Sequence, residues 1–211
     1  MDAKVAIKVG EFDRGGKTRV TTVALDHDFP PQITLTPYGI FLPQYNELYL
    51  FFVDSKLTAD CIADCLSSWW QSVKHRFIHI QKLVINQDNG PENNSRRTQF
   101  MKRMVDFSTS SQLNLQLAYY PPYHSKYNPI ERCFGWLEQH WNGSLLDTVD
   151  PVLNFAQTLT FKGQNPIVTL VNQVYATGVK LTTAAMTELE QHLHRHPSLP
   201  KWFVEIFPQP D

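Results

Sequence analysis

The sequence predicts an α/β fold, with a mixed five-stranded sheet, helices on both of its faces and a C-terminal helical extension. Residues 4–9 and 113–118 alternate apolar and polar side chains, as half-buried strands do. Apolar residues between positions 62 and 73 and between 130 and 141 recur at three- and four-residue intervals, which is typical of helices that pack on a sheet. We expect residues 1–150 to form the core and residues 151–211 to form the extension.

The order of the elements narrows the fold class. A half-buried strand at 4–9 and a β-rich stretch from Arg19 to Leu25 flank a Gly-containing turn and predict a hairpin. The other core elements are, in order, a strand at 48–53, a helix at 62–73, a strand at 83–85, a helix at 100–105, a strand at 113–118 and a helix after Asn128. Three antiparallel strands followed by strand–helix units match the ribonuclease H fold. Beyond Asp150 we expect two or three helices, then a short strand or extended arm from Trp202 to Phe207.

Composition limits the class of protein. The 211 residues are 42% hydrophobic and 12% aromatic, which is enough for a sizeable core. No apolar run approaches the roughly 18 residues that a bilayer requires, and no apolar targeting segment follows Met1, so we expect a cytoplasmic protein. A net charge of −1 is not that of a dedicated basic DNA-binding module, although a nuclease site must itself collect acidic groups. The spacing of Cys61, Cys65 and Cys133 predicts buried thiols rather than a zinc site or a disulfide framework.

Three acidic residues stand where the predicted elements would bring side chains to one edge of the sheet. Asp2 begins the first strand, Asp88 ends the fourth, and Glu131 lies in the first turn of the helix after the fifth. Clustered carboxylates need a counter-charge, and their oxygens suit Mg²⁺ or Mn²⁺. Two such ions about 3.5–4 Å apart can activate an attacking hydroxyl and stabilise the leaving oxygen of a phosphodiester. If the three side chains converge, the pattern fits a two-metal nuclease site.

Each of the three acids also has an ordinary structural interpretation. Asp2 can be a solvated residue near a chain terminus, and Asp88-Asn89-Gly90 is a good turn sequence. Glu131 stands three residues after Asn128 and can be the acid of a helix capping box. Spacing alone does not decide between these interpretations and a metal site.

Longer motifs are more specific than the positions of the acids. They are Asp2-Ala3-Lys4 with residues 10–19 (GEFDRGGKTR), residues 86–91 (NQDNGP), residues 119–131 (YYPPYHSKYNPIE), residues 141–143 (WNG) and residues 199–202 (LPKW). Together they resemble the catalytic domain of DDE transposases of bacterial insertion sequences. The resemblance is to the Rhodopirellula-type or ISAzo-like group, distant relatives of the Tc/mariner transposases in the retroviral-integrase superfamily. It runs from Asp2 to about Pro208.

The resemblance implies an enzyme that cleaves DNA strands and transfers them with two Mg²⁺ or Mn²⁺ ions. Asp2, Asp88 and Glu131 would be the catalytic residues and the metal ligands. The implied partners are DNA, both transposon ends and target, and a second copy of the chain, with no membrane partner. Basic residues near the motifs are candidates for contacts with DNA phosphates, although solvated surface charge or loop positioning would also explain them. These candidates are Arg14, Lys17, Arg96, Arg97, His124, Lys126 and Arg132.

Two features keep other functions open. Only Met1 precedes Asp2, whereas the resemblance implies a longer first strand, and the sequence lacks the helix-turn-helix region that such enzymes use to recognise element ends. We therefore expect a truncated form. The alternatives are an inactive remnant with residual nucleic-acid binding and a structure-specific nuclease of the same fold.

Overall fold

The fold is described from a computed structural model, which describes residues 1–13, 15, 17, 29–121 and 127–209. The predicted strand from Arg19 to Leu25 lies outside these residues, and so do Arg14 and Gly16 of the predicted hairpin turn. The remaining predicted elements fall within them.

Five helices and nine strands make up the described chain. The helices are α1 (Ala59–Val73), α2 (Thr98–Ser111), α3 (Pro129–Trp141), α4 (Val149–Thr158) and α5 (Thr183–Glu190). The strands are β1 (Asp2–Ala3), β2 (Ile7–Val9), β3 (Ile33–Leu42), β4 (Glu47–Val53), β5 (Lys82–Gln87), β6 (Asn114–Tyr119), β7 (Ile167–Val171), β8 (Leu193–Arg195) and β9 (Phe203–Ile206). The predicted mixed α/β class is confirmed. None of the described helices combines the length and the apolar character needed to cross a membrane.

The chain divides into two compact units. The Asp88 unit comprises Met1, Leu57–Asn128 and Tyr175–Asp211, and the Asp2 unit comprises Asp2–Lys56 and Pro129–Val174. Each unit has its own sheet, so the single five-stranded sheet that the sequence predicts is replaced by two sheets in the described residues. The predicted division at residue 150 stays a prediction.

The sheet of the Asp2 unit is mostly antiparallel. Its order is β1-β3-β4-β7, with β2 also paired to β3, and β7 runs parallel to β4. The predicted first strand is broken, because residues 4–6 separate β1 from β2 and Val5 is 84% exposed. The core of this unit is formed by apolar side chains of the sheet, α3 and α4, with Trp141 fully buried.

The sheet of the Asp88 unit combines parallel and antiparallel pairs. Its order is β5-β6-β9-β8, with β5 parallel to β6 and with β9 antiparallel to both of its neighbours. Helix α1 packs with α2, and the Arg103 guanidinium of α2 forms ion pairs with Asp60 and Asp64 of α1. Arg103 is therefore committed to holding the two helices together.

The segment after residue 150 is less helical than the sequence predicts. It contributes α5 and most of α4, but also β7, β8 and β9, which extend both sheets. The run Ile-Val-Thr-Leu-Val of β7 is rich in β-branched residues, which favour strands, and this preference decides its structure. The terminal strand predicted from Trp202 to Phe207 is present as β9.

The three cysteines are buried free thiols, as the sequence predicts. Cys61 and Cys65 lie on the apolar side of α1, and Cys133 lies on that of α3. Burial raises the pKa of Cys133 to about 12, so its thiol stays protonated at neutral pH. Its role in the described structure is to fill space in the core of the Asp2 unit.

Helix α3 approaches the sheet of the Asp2 unit most closely at Gly39 of β3. A Cβ atom on Gly39 would lie 2.5 Å from Cδ1 of Ile130 and 3.2 Å from two ring atoms of Phe134. Both of these side chains belong to α3 and are buried. A glycine at this position leaves room for the two side chains, and any larger residue would force them to shift.

We expect Gly39→Ala to destabilise the protein by about 1–3 kcal/mol, because the added methyl group overpacks the contact between β3 and α3. Gly135→Ala is the matched control. Gly135 is exposed on the same helix, and a Cβ there would meet nothing within 4 Å. The control should therefore stabilise the helix by roughly 0.5–1 kcal/mol. Urea unfolding of both variants measures the difference, and equal stability of the two would contradict the close approach.

Candidate active site

The sequence-predicted acids lie in both units. Asp2 and Glu131 belong to the Asp2 unit, and Asp88 belongs to the Asp88 unit. Across the described ranges, no group of three or more His, Cys, Asp or Glu side chains is placed to hold a metal ion. The structure therefore describes the surroundings of each acid separately, and the joint site stays a prediction.

Asp2 is a buried carboxylate, only 5% exposed. Its Oδ1 accepts a hydrogen bond of 2.8 Å from the backbone N–H of Ala3. Burial of a carboxylate is costly unless polar or charged groups compensate it, so a terminal acid that served only for solubility would not be expected in this position. The interpretation of Asp2 as a solvated residue is wrong.

Asp2 and the first turn of α3 lie on the same face of their sheet. Asp2 pairs directly with Gly39, and residues opposite each other in an antiparallel pair point to the same face. That face at Gly39 is covered by Ile130 and Phe134. Glu131 follows Ile130 in the first turn of α3 and is exposed. Asp2 therefore points to the sheet face that the first turn of α3 covers, and the position of the Glu131 carboxylate beside it stays a prediction.

Asp88 is positioned by the end of β5. The strand's buried positions include Ile85 and Gln87, and Asp88 is the first residue after it, half-buried. The backbone nitrogen of Met1 donates a 2.7 Å hydrogen bond to the carbonyl oxygen of Asn86, within the same unit. The end of β5 before Asp88 is therefore held by its pairing with β6 and by the hydrogen bond from Met1.

The side-chain amide of Asn93 donates hydrogen bonds to Asp88 and Gln87. Its Nδ2 donates to Oδ1 of Asp88 at 3.2 Å, to the backbone oxygen of Asp88 at 3.2 Å and to Oε1 of Gln87 at 3.3 Å. The backbone carbonyl oxygen of Asn93 accepts a 3.1 Å hydrogen bond from the Tyr119 hydroxyl. Gln87, Asn93 and Tyr119 are all buried, so this polar network is largely shielded from solvent.

The Tyr119 hydroxyl of this network stays protonated at neutral pH. Burial raises the pKa of Tyr119 above its ordinary value; Gln87 and then Arg195 lower it to a smaller extent, and the Asp88 charge makes the smallest, raising contribution. The Tyr119 hydroxyl therefore remains a donor at neutral pH. Gln87 Nε2 lacks a well-oriented acceptor among the described residues, although its side chain still interacts with Tyr119.

Gly90 allows the loop after Asp88 to close on Asn93. A Cβ atom on Gly90 would lie 2.7 Å from Oδ1 of Asn93 and 3.4 Å from Oδ1 of Asp88. Asn94, the next residue after Asn93, bonds the loop backbone instead, through the carbonyl oxygens of Gly90 at 2.9 Å and Pro91 at 3.2 Å. The turn lies at residues 91–93, after the predicted Asp88-Asn89-Gly90, and Gly90 leaves room for the side chain of Asn93.

The candidate DNA-binding residues have different environments. Arg14, His124 and Lys126 lie outside the described residues. Arg96 is exposed, whereas Arg97 forms a 3.0 Å ion pair with Glu92. Lys17 and Arg132 are exposed in the Asp2 unit. Exposure fits contact with phosphates, and it fits solvated charge equally well.

The sequence did not identify Gln87, Asn93 or Tyr119 as part of the site. One signal for two of them was available, because Gln87 and Tyr119 each follow the apolar, inward-facing positions of a strand in the two-residue period. A polar side chain at such a position needs a buried partner. Asn93 gave no signal of this kind, because its burial depends on how the loop folds back.

Comparison with known proteins gives one match. A family model described as the Rhodopirellula transposase DDE domain matches residues 1–208. No curated protein and no solved structure matches the chain. The family model covers both units, including the positions of all three predicted acids.

Proposed function

This chain belongs to the Rhodopirellula transposase DDE domain family, and we propose that it cleaves DNA strands and transfers them in a reaction that depends on divalent metal ions. The family supports a transposase role with DNA as the substrate. The finer proposal names Asp2, Asp88 and Glu131 as the catalytic metal ligands and the transposon ends and target DNA as the substrates.

The packing of α3 against Gly39 is the observation that carries the proposal. It sets the helix turn that contains Glu131 over the sheet face to which Asp2 points. A capping role for Glu131 would leave unexplained the buried acid, Asp2, on the sheet face that its helix covers. Asp88 comes from the other unit, and its place beside the other two acids is part of the proposal.

The donor set fits a hard divalent cation. Three carboxylates offer oxygen atoms only, which suits Mg²⁺ or Mn²⁺ rather than a metal that prefers sulfur or imidazole. We propose that Asp2, Asp88 and Glu131 hold two such ions. When bound, the ions would activate the attacking hydroxyl and stabilise the leaving oxygen of the phosphodiester.

The protein's own residues have a positioning role in this proposal. The chain holds Asp2 by its backbone and by the pairing with Gly39, and it holds Asp88 by a buried amide. Glu131 lies in the first turn of α3, where the helix dipole favours a negative charge. Exposed cations such as Arg96 and Arg132 would bind phosphates and fix the position of the DNA without reading its sequence.

Plasmid nicking in Mn²⁺ tests the proposed activity. We expect Asp88→Asn to lower the nicking rate on the order of 100-fold or more, because the variant removes a charged ligand from both the metal and the transition state. Asp106→Asn is the control. Asp106 is an exposed acid paired with Lys102 on α2, and its loss changes the net charge equally. The control should keep wild-type activity.

Two outcomes would favour the alternatives. Metal-independent nicking, or equal nicking by the wild type and Asp88→Asn, would indicate a remnant that does not catalyse the reaction. A strong preference for branched DNA over linear duplex, with the Asp88 dependence kept, would indicate a structure-specific nuclease.

The basic surface is tested by salt dependence. We expect Arg96→Ala to weaken duplex binding and to reduce the slope of log affinity against log salt by about 1, because one phosphate contact is lost. Lys102→Ala removes the same charge, but Lys102 already forms an ion pair with Asp106. Fluorescence anisotropy over a range of NaCl concentrations measures both slopes. A slope for Arg96→Ala equal to that of the Lys102→Ala control would identify Arg96 as solvated surface charge.

A further inference from the structure

The loop after β5 contains two adjacent asparagines with different partners. The Asn94 side chain bonds only to backbone groups of its own loop: Nδ2 donates to the carbonyl oxygens of Gly90 and Pro91, and Oδ1 accepts from the N–H of Arg96. Asn93 instead directs its amide at Asp88 and Gln87. Loop closure is thus already provided by Asn94, and the contact from Asn93 to a carboxylate needs a separate explanation.

The Asn93 amide is placed with little freedom. The side chain and backbone of Asn93 are 6% exposed, and its carbonyl is fixed by Tyr119. A buried amide loses its hydrogen bonds to water, so its position is set by the acceptors that replace them. Here these acceptors are Oε1 of Gln87, the backbone of Asp88 and one oxygen of the Asp88 carboxylate.

The two carboxylate oxygens of Asp88 have different hydrogen-bonding environments. Oδ1 accepts from Asn93 at 3.2 Å, and within the described part of the chain Oδ2 accepts no hydrogen bond. A neutral amide donor restrains rotation of the carboxylate without neutralising its charge. Oδ2 therefore keeps a defined direction and its full capacity to bind a cation.

We propose that Asn93 is a positioning residue that orients the Asp88 carboxylate for metal binding, with Gln87 and Tyr119 as its buried support. This inference rests on the proposed function, since it assumes that Asp88 is a metal ligand. Partners that orient a metal ligand in this way typically contribute 10–100-fold to metal affinity or activity. Gly90 belongs to the same arrangement, because a side chain there would collide with Oδ1 of Asn93.

Mn²⁺ titration followed by electron paramagnetic resonance, together with plasmid nicking, tests the inference on the full chain. We expect Asn93→Ala to weaken Mn²⁺ binding and to lower nicking by about 10-fold or more, with a smaller loss for Asn93→Ser, whose hydroxyl can still donate. Asn94→Ala is the matched control. It removes the same side chain one residue later without touching Asp88, and it should change Mn²⁺ affinity less than about 2-fold, well below the effect expected for such a partner.

A second control separates positioning from stability. Ser108→Ala removes a buried 2.7 Å hydrogen bond to the Leu113 carbonyl oxygen in the same unit, without touching Asp88, Asn93 or their partners. We expect it to lower the melting temperature while Mn²⁺ affinity stays closer to wild type than in Asn93→Ala. If the affinity loss of every variant simply followed its loss of melting temperature, Asn93 would have a structural role only. Should Asn93→Ala fail to fold, Asn93→Ser decides the same question.

Asp88→Asn keeps the two proposals distinguishable. If Asp88→Asn changes neither Mn²⁺ binding nor nicking, the proposed function fails. If Asp88→Asn abolishes both while Asn93→Ala and Asn93→Ser match the wild type, the proposed function stands and the role assigned to Asn93 is overturned.

Discussion

The close approach of α3 to the sheet at Gly39 is the constraint on which the rest of the Asp2 unit depends. Side chains normally keep a helix and a sheet apart, and a glycine in the sheet removes one of them. Ile130 and Phe134 fill the space that a side chain would occupy. Because the helix is seated by apolar packing, the direction of its first turn does not depend on any polar contact made by Glu131. The core thus sets the backbone position of Glu131, and its side chain is not needed to seat the helix.

The Asp88 unit solves the same problem by a different physical means. Its acid follows a strand, where the backbone is fixed by the parallel pairing of β5 with β6. The side chain of such an acid would still rotate, and the buried amide of Asn93 limits that rotation. The cost is a set of polar groups kept away from water, which is tolerated because nearly all of them are hydrogen-bonded. Packing orients one acid's helix, and hydrogen bonding orients the other acid's carboxylate.

Most of the fold could be predicted from the sequence, because its signals are local. The apolar period along α1 and α3 and the alternation along β6 identified these elements, and the motif at 119–131 identified the family. Strands β3, β7 and β8 were missed. Pro37 disfavours a strand where β3 forms, and short strands such as β8 are defined by their partners rather than by their own pattern. The division of the strands between two sheets is likewise a property of long-range pairing.

The site could be predicted only in part, and for the same reason. The three acids were found because they occur in motifs, whereas Asn93 became visible only when the loop was seen folded back on Asp88. Gly39 gave no signal either, since a glycine within a strand has several possible causes and only the position of α3 identifies this one. Contacts between residues far apart in the chain are what a local pattern cannot express.

The parallel pairing of β7 with β4 has a consequence for the order of events during synthesis. Tyr49 pairs with Ile167 and Val53 with Val171, so the sheet of the Asp2 unit is completed by residues that the ribosome makes more than a hundred positions later. The Asp88 unit has most of its helices and its first two strands in the stretch made between these events. Until β7 is made, backbone N–H and C=O groups along this edge of β4 lack their native partner strand, and such an edge can pair with another chain.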